Sequence, residues 1–205
     1  MKTNGDCLNV IITGVGGQGN ILASHILASA AIASDFHVTI GETYGQSQRG
    51  GAVMSHLRVS QRQQYGPLIG EGQADLIVGL EPLETLRVLS QYGNSRVVVA
   101  TNSRPIYPQP VGGEVVKYPT TEEVAETLRS LAAKSWVVDA TGIALELGPP
   151  ILANIVMMGT LVGVGLLPIG ATPFEEEMRE SLPSDRLEMN LKAFRRGIQE
   201  VEGRR

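Results

Sequence analysis

The sequence predicts a three-layer α/β/α fold, in which helices cover both faces of one mixed, mostly parallel sheet. Short apolar runs rich in β-branched residues alternate with helical segments along the N-terminal half. A glycine-rich turn separates the first strand from the first helix, as in doubly wound α/β proteins. The length of 205 residues and the 42% of hydrophobic residues fit a single domain, residues 1–205, with a substantial core.

Strands are indicated by apolar runs bounded by glycine, polar or charged residues. Uninterrupted β-branched runs are typical of buried strands, and one run that alternates apolar and polar residues is typical of a half-exposed strand. We predict strands at residues 8–13, 37–41, 52–60, 74–80, 96–100 and 136–139.

Helices are indicated by apolar side chains that recur every three or four residues. Pro82 lies in the first turn of one helix, and Thr120 or Thr121 caps another. We predict helices at residues 20–34, 81–92, 121–133, 141–147, 154–167, 173–181 and 184–202, the last an amphipathic C-terminal helix. Residues 102–118 are rich in proline and glycine and form a connector, with a short edge strand at 114–117.

One long stretch lacks charged residues. It runs from Gly148 to Phe174, and its centre at 151–167 is about as long as a minimal membrane span of ~17 residues. It contains Asn154 and several glycines, and no Lys or Arg flanks it closely. We therefore expect a buried helix with a glycine-rich face rather than a membrane segment. Whether that helix belongs to the core or to an interface stays open.

Composition excludes several classes of function. The net charge of −4 provides no basic field for nucleic acid. Cys7 is the single cysteine, which excludes a self-contained iron–sulfur cluster, a cysteine-rich zinc site and an intramolecular disulfide. The N-terminus lacks the long apolar segment of a secretory signal. A cytoplasmic protein without nucleic-acid or membrane partners is expected.

A G-x-G-x-x-G motif follows the first strand. Glycine permits positive φ and close approach of a ligand, and the next helix presents N–H groups to an anion. Glu42 ends the following strand, roughly where dinucleotide folds place the acid that binds ribose. The motif fits either a nucleotide-type phosphate site or a tight strand–helix turn. The candidate binding residues here are Gly14, Gly16, Gly17, Gln18, Gly19 and Glu42.

The segment that follows Glu42 is dense in amide and hydroxyl side chains. An arginine among glycines suits a carboxylate, a phosphate or an acidic partner, although a solvated loop is the simpler alternative. The candidates are Ser47, Gln48, Arg49, Gly50 and Gly51. Glu81 begins a helix. Its carboxylate either caps that helix or contributes to a binding site. His25 and His56 are interpreted as structural, and no catalytic residue or metal site is predicted.

Together these motifs resemble a known family. The loop GVGGQG, then SQRGG, then ADLIVGLEPLETLR are similar to the gamma subunit or domain of 2-oxoacid:ferredoxin oxidoreductases. NIVMMGTL from Asn154 and LEMNLKAF from Leu187 are similar to the indolepyruvate oxidoreductase beta subunit, a stand-alone gamma-type domain. Family members often carry Ser-His-Gly-Met before SQRGG, where this chain has Thr43-Tyr44-Gly45-Gln46.

The resemblance implies a subunit of a complex that oxidatively decarboxylates a 2-oxoacid to an acyl-CoA and reduces ferredoxin. Thiamine diphosphate and 4Fe–4S clusters would then reside on a catalytic alpha-type partner, since this chain has one cysteine and no apparent thiamine-diphosphate motif. Coenzyme A would be shared at the subunit interface.

Alternatives remain at this point. The oxoacid could be pyruvate, ketoisovalerate or 2-oxoglutarate instead of indolepyruvate. The glycine motif with Glu42 also fits an independent NAD(P)-binding protein, and an interaction module without a ligand is a further possibility. An adenylating enzyme would be expected to carry a zinc-binding cysteine set, and this chain has a single cysteine.

Overall fold

The computed structural model describes residues 6–45, 51–107 and 118–203. The strands are β1 (Cys7–Val15), β2 (His37–Tyr44), β3 (Ala52–Ser60), β4 (Leu76–Gly79), β5 (Val98–Asn102) and β6 (Lys134–Val138). The helices are α1 (Asn20–Ile32), α2 (Pro82–Tyr92), α3 (Thr121–Leu131), α4 (Ala140–Leu147), α5 (Ala153–Gly163), α6 (Ala171–Ser181) and α7 (Ser184–Glu202). A 3₁₀ turn, Pro150–Leu152, precedes α5. The predicted α/β fold is confirmed.

The six strands form one sheet in the order β2-β3-β1-β4-β5-β6. β1, β4, β5 and β6 are parallel neighbours, whereas β3 is antiparallel to both β1 and β2. The antiparallel β2–β3 pair therefore extends the parallel sheet beside β1. This arrangement brings the carboxyl ends of β1, β4, β5 and β6 to one edge of the sheet, where α/β folds bind ligands.

Alternating residues of the strands face two separate cores. Val10 and Ile12 of β1 face the core formed with α1 and α4 to α7. Ile11 faces the smaller core, where Val88 of α2 and Leu128 of α3 pack. The two cores on opposite faces of the sheet account for the three layers, since successive side chains of a strand point to opposite sides.

Several predicted boundaries differ from the observed ones by two or more residues. β1 continues to Val15 and β2 to Tyr44, because pairing with β3 extends both strands into the predicted loops. The apolar helix α5 ends at Gly163 rather than at residue 167, and Gly165 has a φ of +76° that a helix cannot continue. Of the predicted connector 102–118, residues 108–117 lie outside the described residues, and the predicted edge strand 114–117 lies with them.

The apolar helix α5 belongs to the core. It lies between the sheet and α7, with which it makes extensive contact. A Cβ on Gly159 would come within 1.9 Å of the Phe194 carbonyl oxygen, and one on Gly197 within 1.9 Å of the Val156 carbonyl oxygen. The predicted glycine-rich face therefore lets two helix backbones touch. None of the helices in the described ranges is long and apolar enough to cross a membrane.

His56 of β3 is buried, with 1% of its surface exposed. Its Nδ1 accepts a hydrogen bond from the Ile69 N–H at 3.3 Å, and the Tyr92 ring packs edge-on at 5.4 Å. Its Nε2 has no hydrogen-bond partner among the described residues. Burial lowers the pKa of His56 below the ordinary value of 6.5, because the charged imidazole loses solvation.

This histidine predicts a pH-dependent loss of stability. Below pH 6.5 this imidazole binds a proton in the unfolded chain but stays neutral in the folded chain. The free energy of unfolding therefore falls as the pH drops from 6.5 towards the pKa of His56 in the folded state. The loss is about 1.4 kcal/mol per unit of pKa difference. Urea denaturation should show a smaller change between neutral and acidic pH in His56→Gln than in wild type. His25→Gln, which removes an exposed imidazole, is the matched control.

Candidate functional site

The carboxyl ends of the four parallel strands border a cleft of about 500 Å³. Gln18 follows β1, Leu80 follows β4, Asn102 ends β5 and Thr141 follows β6. The 3₁₀ turn and the start of α5 form the opposite wall, and residues 104–106 form part of the rim. The cleft therefore lies where the parallel topology predicts a ligand site.

Side-chain amides join the strand ends that line this cleft. The Gln18 Nε2 donates to the Leu80 carbonyl at 2.9 Å, and the Asn102 Nδ2 donates to the same carbonyl at 3.2 Å. Asn102 also donates to the Thr141 hydroxyl at 2.9 Å. These bonds fix the positions of four strand ends relative to one another, which gives the cleft a preformed floor.

The glycine loop adopts a conformation that requires glycine at two positions. Gly17 has a φ of +99° and Gly19 a φ of +84°. Gln18 between them turns back, and its Oε1 accepts from the Val15 N–H at 2.7 Å. A Cβ on Gly14 would lie 2.6 Å from that Gln18 oxygen. The motif thus forms a tight turn whose shape depends on the Gln18 side chain.

The N-terminus of α1 has no side chain that neutralises it. Gly19 is the N-cap, no side chain caps the helix, and the first turn carries no acidic residue. The first N–H groups of a helix attract anions. Arg104 is the one charged side chain among the described residues that line the cleft. Helix terminus and arginine together favour a phosphate or a carboxylate in this cleft.

The second predicted loop ends beside the glycine loop. The Gly16 N–H donates to the Gly51 carbonyl at 2.9 Å, and the Gly45 N–H donates to the Ala52 carbonyl at 2.7 Å. The structure thus brings Gly16 and Gly51 together. The candidates Ser47, Gln48, Arg49 and Gly50 lie outside the described residues.

Glu42 does not lie beside the glycine loop. It pairs with Ser55 of β3, and β3 separates its strand from β1. Two strand spacings put the backbone of Glu42 about 10 Å from that of β1. The Tyr44 hydroxyl donates to its carboxylate, which raises the pKa of Tyr44. A dinucleotide fold places its ribose-binding acid on the strand adjacent to β1, so this geometry does not favour the NAD(P) alternative.

Glu81 holds several segments in place from the start of α2. It is 1% exposed, and its Oε2 accepts from the Glu84 N–H at 2.9 Å as the N-cap. Its Oε1 accepts from the Ile106 N–H at 3.1 Å and from the Tyr118 hydroxyl. Burial first, and then the bond to Glu81, raise the pKa of Tyr118. The carboxylate therefore positions the rim of the cleft at Ile106 without lining the cleft itself.

Glu81→Ala should lower the free energy of unfolding by about 3 kcal/mol. The change removes a helix cap worth about 1 kcal/mol, and it leaves the part-buried Ile106 N–H and Tyr118 hydroxyl without their acceptor. Thr120→Ala is the control, because it removes the N-cap of α3 but no buried anchor. Its cost should be about 1 kcal/mol. Equal midpoints in urea denaturation for the two variants would contradict the anchoring role.

Sequence reasoning missed four polar or charged residues that line the cleft: Asn102, Arg104, Thr141 and Asn154. Asn102 and Thr141 are polar residues at or after the ends of apolar strands, a signal that could have identified them. Asn154 of α5 is 2% exposed, and its Nδ2 has no hydrogen-bond partner in the described part of the chain. No sequence signal connects it to Gly19, against which it packs.

Residues 9–200 match the family pyruvate ferredoxin/flavodoxin oxidoreductase. Over 198 residues the chain is 38% identical to the indolepyruvate oxidoreductase subunit IorB of Archaeoglobus fulgidus, covering 96% of this chain and 97% of that protein. The chain belongs to this family, as a member of its gamma type. It is a subunit of a 2-oxoacid:ferredoxin oxidoreductase, as the motifs predicted.

This gamma-type subunit is also 30% identical to the pyruvate/ketoisovalerate oxidoreductases common subunit gamma of Thermococcus kodakarensis, over 88% of this chain and 89% of that protein. Its fold matches a keto/oxoacid ferredoxin oxidoreductase gamma subunit from Geobacter sulfurreducens with a TM-score of 0.71, at 24% identity and over 96% of this chain and 97% of that chain. The fold also matches a 2-oxoglutarate:ferredoxin oxidoreductase from Magnetococcus marinus, solved with 2-oxoglutarate, coenzyme A and succinyl-CoA, with a TM-score of 0.73 and 18% identity. This match covers 97% of this chain and 31% of that chain. At these identities the two structures establish the fold alone.

Proposed function

We propose that this gamma-type chain is the cofactor-free subunit of an indolepyruvate:ferredoxin oxidoreductase, inactive without its catalytic alpha-type partner. The observation that carries this proposal is the near full-length identity to an indolepyruvate oxidoreductase subunit, which exceeds the identity to the pyruvate/ketoisovalerate gamma subunit. The complex would oxidise and decarboxylate the 2-oxoacid, transfer the acyl group to coenzyme A and pass the electrons to ferredoxin. A cytoplasmic location fits the single unpaired cysteine, Cys7.

The residues of this chain do not fit the redox cofactors. A 4Fe–4S cluster is held by four thiolates, and this chain has one cysteine. Cys7 is buried, and burial raises the pKa of its thiol above the ordinary range. Within the described ranges no group of three or more His, Cys, Asp or Glu side chains could hold a metal ion. We therefore assign the clusters and thiamine diphosphate to the partner subunit.

The cleft fits an anionic part of coenzyme A. The N-terminus of α1 and Arg104 provide positive potential, and the amide floor of Gln18 and Asn102 provides rigid polar edges. Exposed Leu145 and Ile151 border the same cleft and suit burial beneath a partner. We propose that the cleft and the loop 42–51 complete the coenzyme A site at the subunit interface.

An assay of the assembled complex tests the substrate assignment. The chain is co-expressed with its alpha-type partner, and ferredoxin reduction is measured with indolepyruvate, pyruvate, 2-ketoisovalerate and 2-oxoglutarate. We expect kcat/KM to be highest for indolepyruvate. A higher value for one of the other acids would overturn the substrate assignment while leaving the subunit role intact.

The same assay tests the cleft. Arg104→Gln should raise the KM for coenzyme A about tenfold, the equivalent of one lost charge-assisted hydrogen bond, and leave the KM for the oxoacid unchanged. Arg96→Gln removes an exposed arginine that does not line the cleft and serves as the control. Equal KM values for coenzyme A in both variants would exclude the cleft from its site.

A further inference from the structure

A second pocket of about 440 Å³ lies on the far side of the wall that bounds the cleft. The first turn of α1, the 3₁₀ turn and the start of α7 enclose it. Most of its lining is apolar, with Leu22, Ile151, Leu182 and Met189 among the contributing side chains. The volume falls in the range of small-molecule sites, about 300–1,000 Å³. No described residue of the glycine loop or of the loop 42–51 lines this pocket, whereas Asn154, Met189 and Asn190 belong to the segments NIVMMGTL and LEMNLKAF.

One cation defines the charge of this pocket. Arg186 is the single charged residue among those described that line it, and no acidic side chain lines it. The Arg186 side chain is 73% exposed, and the contact of its Nε with the exposed Asp185 carboxylate is long, at 3.9 Å. Solvent screens such a pair and leaves it weak. The arginine can therefore turn its charge to a ligand without breaking a strong ion pair.

The backbone that carries Arg186 is held firmly at the rim. The Arg186 N–H donates to the Pro183 carbonyl at 3.0 Å, and the Asn190 Nδ2 donates to the Arg186 carbonyl at 2.8 Å. Met189 packs over Gly148, whose φ is +154°, and fixes another part of the wall. The site thus combines a preformed apolar cavity with one adjustable cation.

We propose that this pocket binds an apolar organic acid, with its carboxylate on Arg186 and its hydrocarbon or aromatic group against Leu22, Ile151 and Met189. An apolar lining with one convergent cation selects a ligand that has both an apolar group and a negative charge. A methionine in the wall also suits an aromatic group, because its sulfur contacts ring edges favourably. Ile151 and Asn154 line both pockets, so a ligand here would lie directly behind the glycine-loop cleft.

Binding to the purified full-length chain tests this proposal without any activity measurement, so its outcome is independent of the oxidoreductase assignment. The probes are phenylacetate and indole-3-acetate, with phenylacetamide and indole-3-acetamide as neutral matches, in NMR titrations. We expect the acids to bind at least tenfold more tightly than the amides. Arg186→Gln should weaken binding of the acids about tenfold, whereas Lys192→Gln, which removes an exposed cation of α7 outside the pocket, should not.

A second pair of variants tests the apolar wall. Leu22→Glu places a negative charge in the pocket and should abolish binding of the acids. Position 22 lies in the first turn of α1, where an acidic residue stabilises the helix, so this variant is expected to fold. Ile21→Glu adds the same charge at a neighbouring exposed position that does not line the pocket. Equal binding of acids and amides, or equal effects within either variant pair, would overturn the proposal, as would absence of binding at millimolar acid.

Discussion

Gly159→Ala should lower the free energy of unfolding of the isolated chain by about 4 kcal/mol. The added methyl group would meet the Phe194 carbonyl oxygen at 1.9 Å. That oxygen belongs to the backbone of α7, so relief requires the two helices to separate along their shared face. Overpacking by one methyl group usually costs about 1–3 kcal/mol, and a backbone clash puts this case above that range. Urea denaturation should show a lower midpoint with an unchanged slope.

The control for this variant is Gly66→Ala. A Cβ at Gly66 would have no neighbour within 4 Å, so its effect should stay within about 1 kcal/mol. Gly197→Ala tests the same helix contact from α7, because its Cβ would lie 1.9 Å from the Val156 carbonyl oxygen. It should lower the free energy of unfolding by a similar amount to Gly159→Ala. Wild-type midpoints for both helix variants would show that α5 and α7 do not touch in this way.

Gly19→Ala should both destabilise the chain by about 3 kcal/mol and impair assembly of the coenzyme A site. A residue with a side chain in the left-handed region costs about 1–2 kcal/mol. Its Cβ would also lie 2.2 Å from the Asn154 Nδ2, so the buried Asn154 amide would have to turn away from α1. Denaturation midpoints measure the first effect. The KM for coenzyme A in the complex measures the second, and it should rise at least tenfold.

Two matched variants separate strain from collision. Gly17→Ala has the same left-handed strain, with a φ of +99°, but its Cβ would meet nothing within 4 Å. Its cost should be about 1–2 kcal/mol. The double variant Gly19→Ala/Asn154→Ala removes the collision and should regain part of the stability lost in Gly19→Ala. Strict additivity in this double-mutant cycle would contradict contact between Gly19 and Asn154.

Local patterns predicted the elements of the fold, because burial and capping leave signals within a few residues. Pro82 and Thr120 marked helix starts, and Glu81 and Thr120 are the observed N-caps. Strand order was not predictable in this way. The pairing of β3 between β1 and β2 joins residues about forty positions apart, such as Val15 and Ala52, and pairing at that distance leaves no local signal. That pairing also lengthens β1 and removes Glu42 from the glycine loop.

The candidate site was predicted in part for the same reason. The glycine motif indicated the loop after β1, since positive φ values require glycine at Gly17 and Gly19. Asn154 joins that loop from a helix more than one hundred residues away, so only the folded chain identifies it. The role of Glu81 in holding Ile106 depends likewise on the path of the chain between β5 and α3.

Purification of the protein at native abundance from its own cells tests the central claim most directly. The proteins that accompany it are identified, the visible spectrum is recorded, and thiamine diphosphate is assayed. The account predicts a larger co-purifying subunit that is brown from iron–sulfur absorption and carries thiamine diphosphate. A colourless chain without a partner would contradict the assignment as a subunit of this oxidoreductase complex.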